Sequence, residues 1–219
     1  FFQPLEPKLS TISLSVPIQM VSEVHPAVIA EIISHVSHKE GATFFKGLDV
    51  ETAAEALSEL QPDVQAAIIT GMETEKAADI IEEMPPDEAA DVLSDLPVDK
   101  AKEILESIER EEAEDIQELL SHEEDTAGGL MTNEFIAYQP ETTVRKAIED
   151  FKKYAGEVET VYYIYVNDAD EKLIGVVSLR ELLLADLNAR LSEIMETKLK
   201  TVTPDADEGE VAEIISKYN

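Results

Sequence analysis

A repeat of twelve residues runs without gaps through residues 25–120 and divides this stretch into eight rows. The sixth position is alanine in the first six rows, and the twelfth is always Val, Leu, Met or Ile. Self-similarity at a fixed short period is typical of proteins built by stacking one structural unit many times. Each row is therefore predicted to form one such unit.

The repeat does not fit one continuous helix. At about 100° per residue, twelve residues advance about 1200°, so the apolar column would move a third of a turn with every row. Proline also lies at or near several row starts, where a helix tolerates it, whereas it breaks a helix interior. We predict one short helix and a tight turn per row. Helices this short need to stack, and we expect positions 5, 8, 9 and 12 of each row to be buried.

The charge balance limits the partners of the chain. It has 17 Lys+Arg against 48 Asp+Glu, a net charge of −31, and no cysteine. Such a surface repels nucleic acid and anionic membranes and attracts cations. Disulfides and thiolate metal sites are excluded. No nucleophile triad, phosphate-binding glycine loop or zinc-protease motif is present, so we expect neither an enzyme nor a nucleic-acid partner.

The acidic residues are concentrated in the last four rows. Residues 73–120 hold 18 Asp+Glu and 4 Lys+Arg, a net charge of −14. In the row 85–96, Asp87, Asp91 and Asp95 are four residues apart and share a face if the helix extends that far. This spacing allows two interpretations: a solvated helix face, or a site for a divalent cation such as Mg2+, which prefers oxygen ligands.

After residue 120 the pattern changes to alternating strands and helices. Gly128-Gly129 marks a joint, and strands are predicted at 135–138, 161–166 and 173–177, with a helix from Thr143. Ser178 and Glu181 have the spacing of a capping box at the start of another helix. A second internal repeat, with an offset of 64, aligns residues 130–154 with 194–218. We therefore expect a duplicated module whose second copy ends within its first helix.

Together these features resemble a known family. The acidic repeat, DTAGGLM at 125–131, YYIYV at 162–166 and GVVSLREL at 175–182 look like the cytoplasmic part of MgtE magnesium transporters. The second half is similar to a pair of cystathionine-beta-synthase (CBS) modules. The fold class implied is α+β overall, with an all-α superhelical repeat domain of short helices followed by an α/β CBS domain.

The resemblance also implies a division into domains. Residues 1–22 would be the tail of an upstream module, such as a PRC-barrel, or a linker. The helical repeat domain would be 23–121, the first CBS domain 122–190, and the incomplete start of the second CBS domain 191–219. We expect this sequence to be a piece of a longer protein.

The resemblance implies two kinds of site. For Mg2+, the candidate ligands are Asp87, Asp91 and Asp95 on the repeat, with Asp205 and Asp207 in the second module. For ATP or another adenine nucleotide in the CBS cleft, the candidates are Tyr163, Gly175, Ser178, Arg180 and Glu181. The CBS nucleotide motif has Asp where this chain has Glu181, one methylene longer, which argues against nucleotide binding.

Two functions follow from these expectations. The first is a cytoplasmic Mg2+-sensing regulatory region of an MgtE-type transporter, in which Mg2+ bridges acidic faces and favours a compact, closed state. The alternative is a soluble CBS-type module that senses nucleotides or binds proteins and lacks a transport domain. We expect a homodimer through the CBS domains and, for the first function, a membrane transport domain in cis or in trans.

Overall fold

The computed structural model describes residues 24–154 and 162–218 of the 219-residue chain. The expected upstream segment 1–22 lies outside the described residues. The described chain forms two compact units that divide between Met72 and Glu73. None of the described helices has the length and hydropathy that crossing a membrane requires.

Each of the eight rows forms one short helix, as the repeat predicts. The helices begin at twelve-residue intervals and run for two to three turns. They are α1 Pro26–Ile33, α2 His38–Phe45, α3 Val50–Ser58, α4 Pro62–Thr70, α5 Thr74–Glu82, α6 Pro86–Ser94, α7 Val98–Leu105 and α8 Arg110–Leu119.

The start of each row carries the signals that begin its helix. Pro26, Pro62 and Pro86 occupy the first helical position, where a missing backbone N–H has no cost. Asp49 instead caps α3 with its side chain, which accepts a hydrogen bond of 2.9 Å from the backbone N–H of Thr52. In these rows a helix-start signal recurs in different chemical forms and supports the twelve-residue period, whereas α5 and α8 begin without a side-chain cap.

Packing follows the same period, because within each unit a helix contacts the next but one. In the first unit α1 packs on α3 and α2 on α4; in the second unit α5 packs on α7 and α6 on α8. The predicted positions supply the core, including Phe45, Leu57, Ile80 and Ile104, all completely buried. The first row departs from the prediction, since Ile32 and Val36 are 52% and 40% exposed. No described helix precedes α1 to cover them.

The second half of the chain forms a small sheet with helices. Its elements are β1 Ala137–Tyr138, α9 Val144–Tyr154, β2 Tyr163–Asn167, β3 Leu173–Ser178, α10 Leu179–Leu184, α11 Leu191–Ile194 and α12 Glu208–Tyr218. The strand order is β1-β2-β3, with β1 and β2 parallel and β2 and β3 antiparallel. The strand predicted at 135–138 is shorter, because Phe135 does not pair and instead sets its ring edge against Tyr165, 5.6 Å between centroids.

One face of this sheet is the core and the other is open. Ile164 and Val166 of β2 are fully buried with Val144, Ala147, Val177, Leu182 and Leu191. The alternating residues Tyr163, Tyr165 and Asn167 lie on the opposite face and keep solvent exposure. Any ligand or partner of the sheet therefore meets an aromatic surface.

Candidate functional site

Helix α6 places the three predicted aspartates along one face. Asp87 lies in the first turn, Asp91 one turn later, and Asp95 is the C-cap residue in right-handed helical conformation. The helix thus extends far enough for the spacing of four to bring them together. Because like charges at this spacing repel, the arrangement costs stability unless a cation neutralises it.

A fourth carboxylate, which the sequence pattern does not reveal, joins this group. Glu124 lies beyond α8, and the packing of α6 against α8 brings its charge close enough to act on Asp91. Partial desolvation, together with the negative charges of Asp87, Glu124 and Asp95, raises the pKa of Asp91 above its ordinary value. We call Asp87, Asp91, Asp95 and Glu124 the α6 acidic site.

One oxygen of the α6 acidic site is shielded from water. Asp87 Oδ1 is buried and accepts no hydrogen bond from the described residues, while Asp91 and Asp95 remain exposed. A buried carboxylate oxygen without a donor is costly, and a bound cation would remove that cost. Mg2+ fits such a site because it takes oxygen ligands and keeps several of its waters, so it needs few protein oxygens.

The start of the second module lies directly beside this region. The backbone N–H of Gly128 donates to the carbonyl of Pro204 at 2.8 Å, and Thr126 forms an antiparallel bridge with Asp207. The N–H of Glu208 donates to the carbonyl of Asp125 at 3.1 Å. Backbone hydrogen bonds therefore connect the joint, which follows Glu124, to the segment that contains the predicted Asp205 and Asp207.

The two aspartates of the second module differ in role. Asp207 Oδ1 accepts a hydrogen bond of 2.8 Å from the N–H of Gly209 at the start of α12, so this oxygen serves as a helix cap. Asp205 is exposed. The structure brings Asp207 near the joint through its backbone bridge to Thr126.

The predicted nucleotide-binding residues are only partly brought together. Tyr163 pairs with Ser178 across β2 and β3, so both side chains are on the same face of the sheet. Tyr163 also lines a cavity of about 450 Å3 with Phe135, Tyr162 and Tyr165. This aromatic cavity was not predicted as a group, since Phe135 and the tyrosines are more than 25 residues apart.

The remaining residues of the nucleotide motif serve local structure. Ser178 and Glu181 form the predicted capping box: Ser178 Oγ accepts from the N–H of Glu181 at 3.2 Å, and Glu181 Oε2 accepts from the N–H of Ser178 at 3.1 Å. The hydrogen bonds from Ser178, helped by Arg180, lower the pKa of Glu181. Gly175 is buried beneath Met195, where an added Cβ would collide with that side chain.

Comparison with known protein families gives two adjacent matches. A family model described as the MgtE intracellular N domain matches residues 24–125, and one described as the CBS domain matches residues 127–188. The fold and the acidic repeat therefore define a class of protein in which a short-helix repeat domain is joined to a CBS module.

Two similar proteins from other organisms are magnesium transporters of this class. The chain is 43% identical over 103 residues to the magnesium transporter MgtE of Thermus thermophilus and 38% identical over 103 residues to that of Enterococcus faecalis. In both cases the match covers 47% of this chain and 23% of the relative. The match thus spans about a quarter of the length of these transporters.

Solved structures match over a longer stretch. A crystal structure of the cytosolic domain of the Mg2+ channel MgtE in complex with ATP is 31% identical, with a TM-score of 0.85, covering 92% of this chain and 82% of that one. The soluble part of a magnesium transporter is 29% identical, with a TM-score of 0.74, covering 92% and 84%. The chain belongs to the MgtE family.

Proposed function

We propose that this chain is a Mg2+-sensing regulatory region of an MgtE-type magnesium transporter, in which Mg2+ favours a compact state that closes transport. The observation that carries the proposal is the α6 acidic site. There the negative charges of three neighbouring carboxylates repel the negative charge of Asp91. In addition, a buried oxygen of Asp87 accepts no hydrogen bond from the residues that the structure describes. Both features describe a site whose energy falls when a cation binds.

The physical basis is a shift between two populations. Without Mg2+, repulsion within the α6 acidic site favours arrangements that move the carboxylates apart. Bound Mg2+ removes the repulsion and favours the arrangement that holds α6 against the joint. A ligand shifts such an equilibrium only by its difference in affinity for the two states. Because Mg2+ dehydrates reluctantly, each site is expected to be weak, which suits a sensor of abundant free Mg2+.

The proposal includes the surroundings of the chain. The helical repeat would be 23–121, the first CBS domain 122–190, and 191–219 the start of a second CBS domain. The proposal also includes a membrane transport domain in cis or in trans and a homodimer through the CBS domains. Similarity to a cytosolic domain supports a position on the cytoplasmic side of the membrane.

Small-angle scattering with and without millimolar Mg2+ tests the proposal. At matched ionic strength we expect the radius of gyration to fall when Mg2+ is added. Asp91→Asn should weaken this response several-fold, since it removes the carboxylate at the centre of the α6 acidic site. Asp99→Asn is the matched control, because it makes the same change at an exposed position on α7. Scattering curves that superimpose with and without Mg2+ would refute the proposal.

Nucleotide sensing is a second candidate, favoured by the aromatic cavity around Tyr163. An aromatic ring stacked on a base contributes about 1–3 kcal/mol in single-stranded nucleic-acid complexes, and the same contact is available to a free adenine nucleotide. A structure of a similar cytosolic domain was solved in complex with ATP.

Calorimetry with ATP, AMP and Mg2+, each added separately, distinguishes the two candidates. If the cavity holds an adenine ring, ATP or AMP should release heat without Mg2+. Tyr163→Ala should then weaken the affinity roughly 5- to 160-fold, the equivalent of that stacking energy. Tyr218→Phe serves as the control, because Tyr218 is an exposed tyrosine of α12 outside the cavity lining. Heat from Mg2+ alone, with none from either nucleotide, would rule out this candidate.

A further inference from the structure

A cavity between α2 and α4 lies in the first unit, away from the sites described above. Its volume is about 340 Å3. Three side chains that can carry positive charge line it, all from α2 and its C-cap: His38, Lys39 and Lys46. Small residues from both helices line the rest, namely Ala42, Ala67 and Gly71. We call this space the α2–α4 basic cavity.

The α2–α4 basic cavity gathers the positive charge of the first unit. Residues 24–72 contain two Lys and no Arg against seven Asp+Glu, and both lysines line the cavity. Among the residues that the structure describes, no Asp or Glu belongs to the lining. The cavity is therefore a positive spot on a unit that is otherwise negative, and it attracts anions at short range.

The acidic residue of α2 is held outside the cavity. Glu40 follows Lys39 in the sequence, but its Oε2 accepts hydrogen bonds from the N–H of Ser37 at 3.0 Å and from the Ser37 hydroxyl at 2.6 Å. These bonds form the capping box of α2 and lower the pKa of Glu40. The carboxylate therefore serves the helix start and does not line the cavity that Lys39 faces.

The donors of the cavity suit a phosphate-bearing anion. The Thr43 hydroxyl, also in the lining, donates to the carbonyl of Lys39 at 2.8 Å, so the lysine ammonium groups and the His38 imidazole are the donors offered to a ligand. Lysine binds phosphate as a point charge, whereas planar bidentate recognition of carboxylates is typical of arginine. Lys39 and Lys46 are seven residues apart, about 10 Å along the helix. An anion with several linked charged groups can reach both.

We propose that the α2–α4 basic cavity binds a soluble anion of two or more linked phosphate groups, of which pyrophosphate is the smallest. The cavity volume falls within the range of about 300–1,000 Å3 that is common for small-molecule sites. A soluble anion is favoured over a lipid headgroup, because the net charge of −31 repels an anionic bilayer. This site goes beyond the proposed function, since it uses neither the α6 acidic site nor the aromatic cavity around Tyr163.

Calorimetry of the full chain with pyrophosphate tests the site, at matched ionic strength and without divalent cations, which pyrophosphate would itself bind. We expect saturable binding that Lys39→Gln weakens several-fold and that Lys39→Gln combined with Lys46→Gln removes. Both lysines are exposed, so the variants should keep the fold and the Tm of the original chain. Lys152→Gln is the matched control, because it makes the same charge change at an exposed lysine of α9. Equal affinities for Lys39→Gln and Lys152→Gln would overturn the site.

Nuclear magnetic resonance locates the anion and separates this site from the nucleotide candidate. With pyrophosphate, amide signals of residues 38–46 and 67–71 should shift in the original chain and equally in Tyr163→Ala. Shifts confined to the surroundings of Tyr163 would contradict the proposal. Sedimentation with vesicles that contain phosphatidic acid distinguishes the two sources of phosphate. Binding to these vesicles without binding of pyrophosphate would refute a soluble ligand.

Discussion

Replacing Phe45 with alanine should lower the free energy of unfolding of the first unit by about 3–5 kcal/mol. The Phe45 side chain is completely buried at the ninth position of its row, where α2 packs on α4. Truncation removes its transfer free energy and leaves a cavity that short helices fixed by their own caps cannot readily fill. Because small domains are stable by only about 5–15 kcal/mol, this loss should be enough to populate unfolded forms of that unit.

The adjacent Phe44 is a control within the same helix. Phe44 is half-buried, so Phe44→Ala should cost clearly less than Phe45→Ala. Hydrogen exchange of the amides in residues 24–72 reports the unit concerned, and urea unfolding followed by circular dichroism gives the size of the change. The twelve-residue repeat predicts both positions to be buried, so equal losses for the two variants would contradict the structure, in which only Phe45 is fully buried.

The repeat could be predicted so fully because its information is local. Most helix starts have a signal within their own row, either proline at the start of the helix or a capping side chain such as Ser37 or Asp49, and the apolar positions recur at the same offsets. Burial at the end of the array is not local. Ile32 and Val36 match the repeat as well as any other residues, yet both are exposed, since burial depends on which helix comes next.

The prediction of the α6 acidic site is limited in the same way, because part of the site depends on tertiary packing. The spacing of Asp87, Asp91 and Asp95 predicts a shared face, and α6 has that face. Glu124 could not be found by spacing, because tertiary packing brings it close to Asp91 from more than 30 positions away in the sequence. The chain has 48 acidic residues, and the sequence alone does not distinguish those of the α6 acidic site from acidic residues that only face solvent.

The CBS motif illustrates a different difficulty, in which one pattern predicts two roles. Ser178 and Glu181 fit both a capping box and a nucleotide motif. In the structure Ser178 Oγ and Glu181 Oε2 lie 2.8 Å apart and bond to each other's backbone, so the cap is present. A nucleotide that used these groups would have to replace those hydrogen bonds. The open aromatic face around Tyr163 requires no such exchange, which makes it the better place to look for a base.

Gly129→Ala should destabilise the second unit by about 1–3 kcal/mol and should also weaken its response to Mg2+. A Cβ at this position would collide with the carbonyl oxygen of Glu123 and would lie 2.7–2.8 Å from backbone atoms of Glu124. Because the colliding atoms are backbone, no side-chain rotation relieves the contact. The joint itself has to move, and Glu124 belongs to the α6 acidic site, so stability and cation binding should fall together.

Gly71→Ala is the control, because its added Cβ would lie 3.4 Å from the Cβ of Ala42 and from the carbonyl oxygen of Ala67, which is ordinary van der Waals contact. No backbone collision arises there, so this variant should lose less stability and keep the scattering response to Mg2+. Thermal unfolding and a Mg2+ titration followed by scattering measure both quantities on the same samples. If Gly129→Ala unfolds at a lower temperature and still compacts at the original Mg2+ concentration, then the position of Glu124 does not control cation binding, and the α6 acidic site is reduced to its three aspartates.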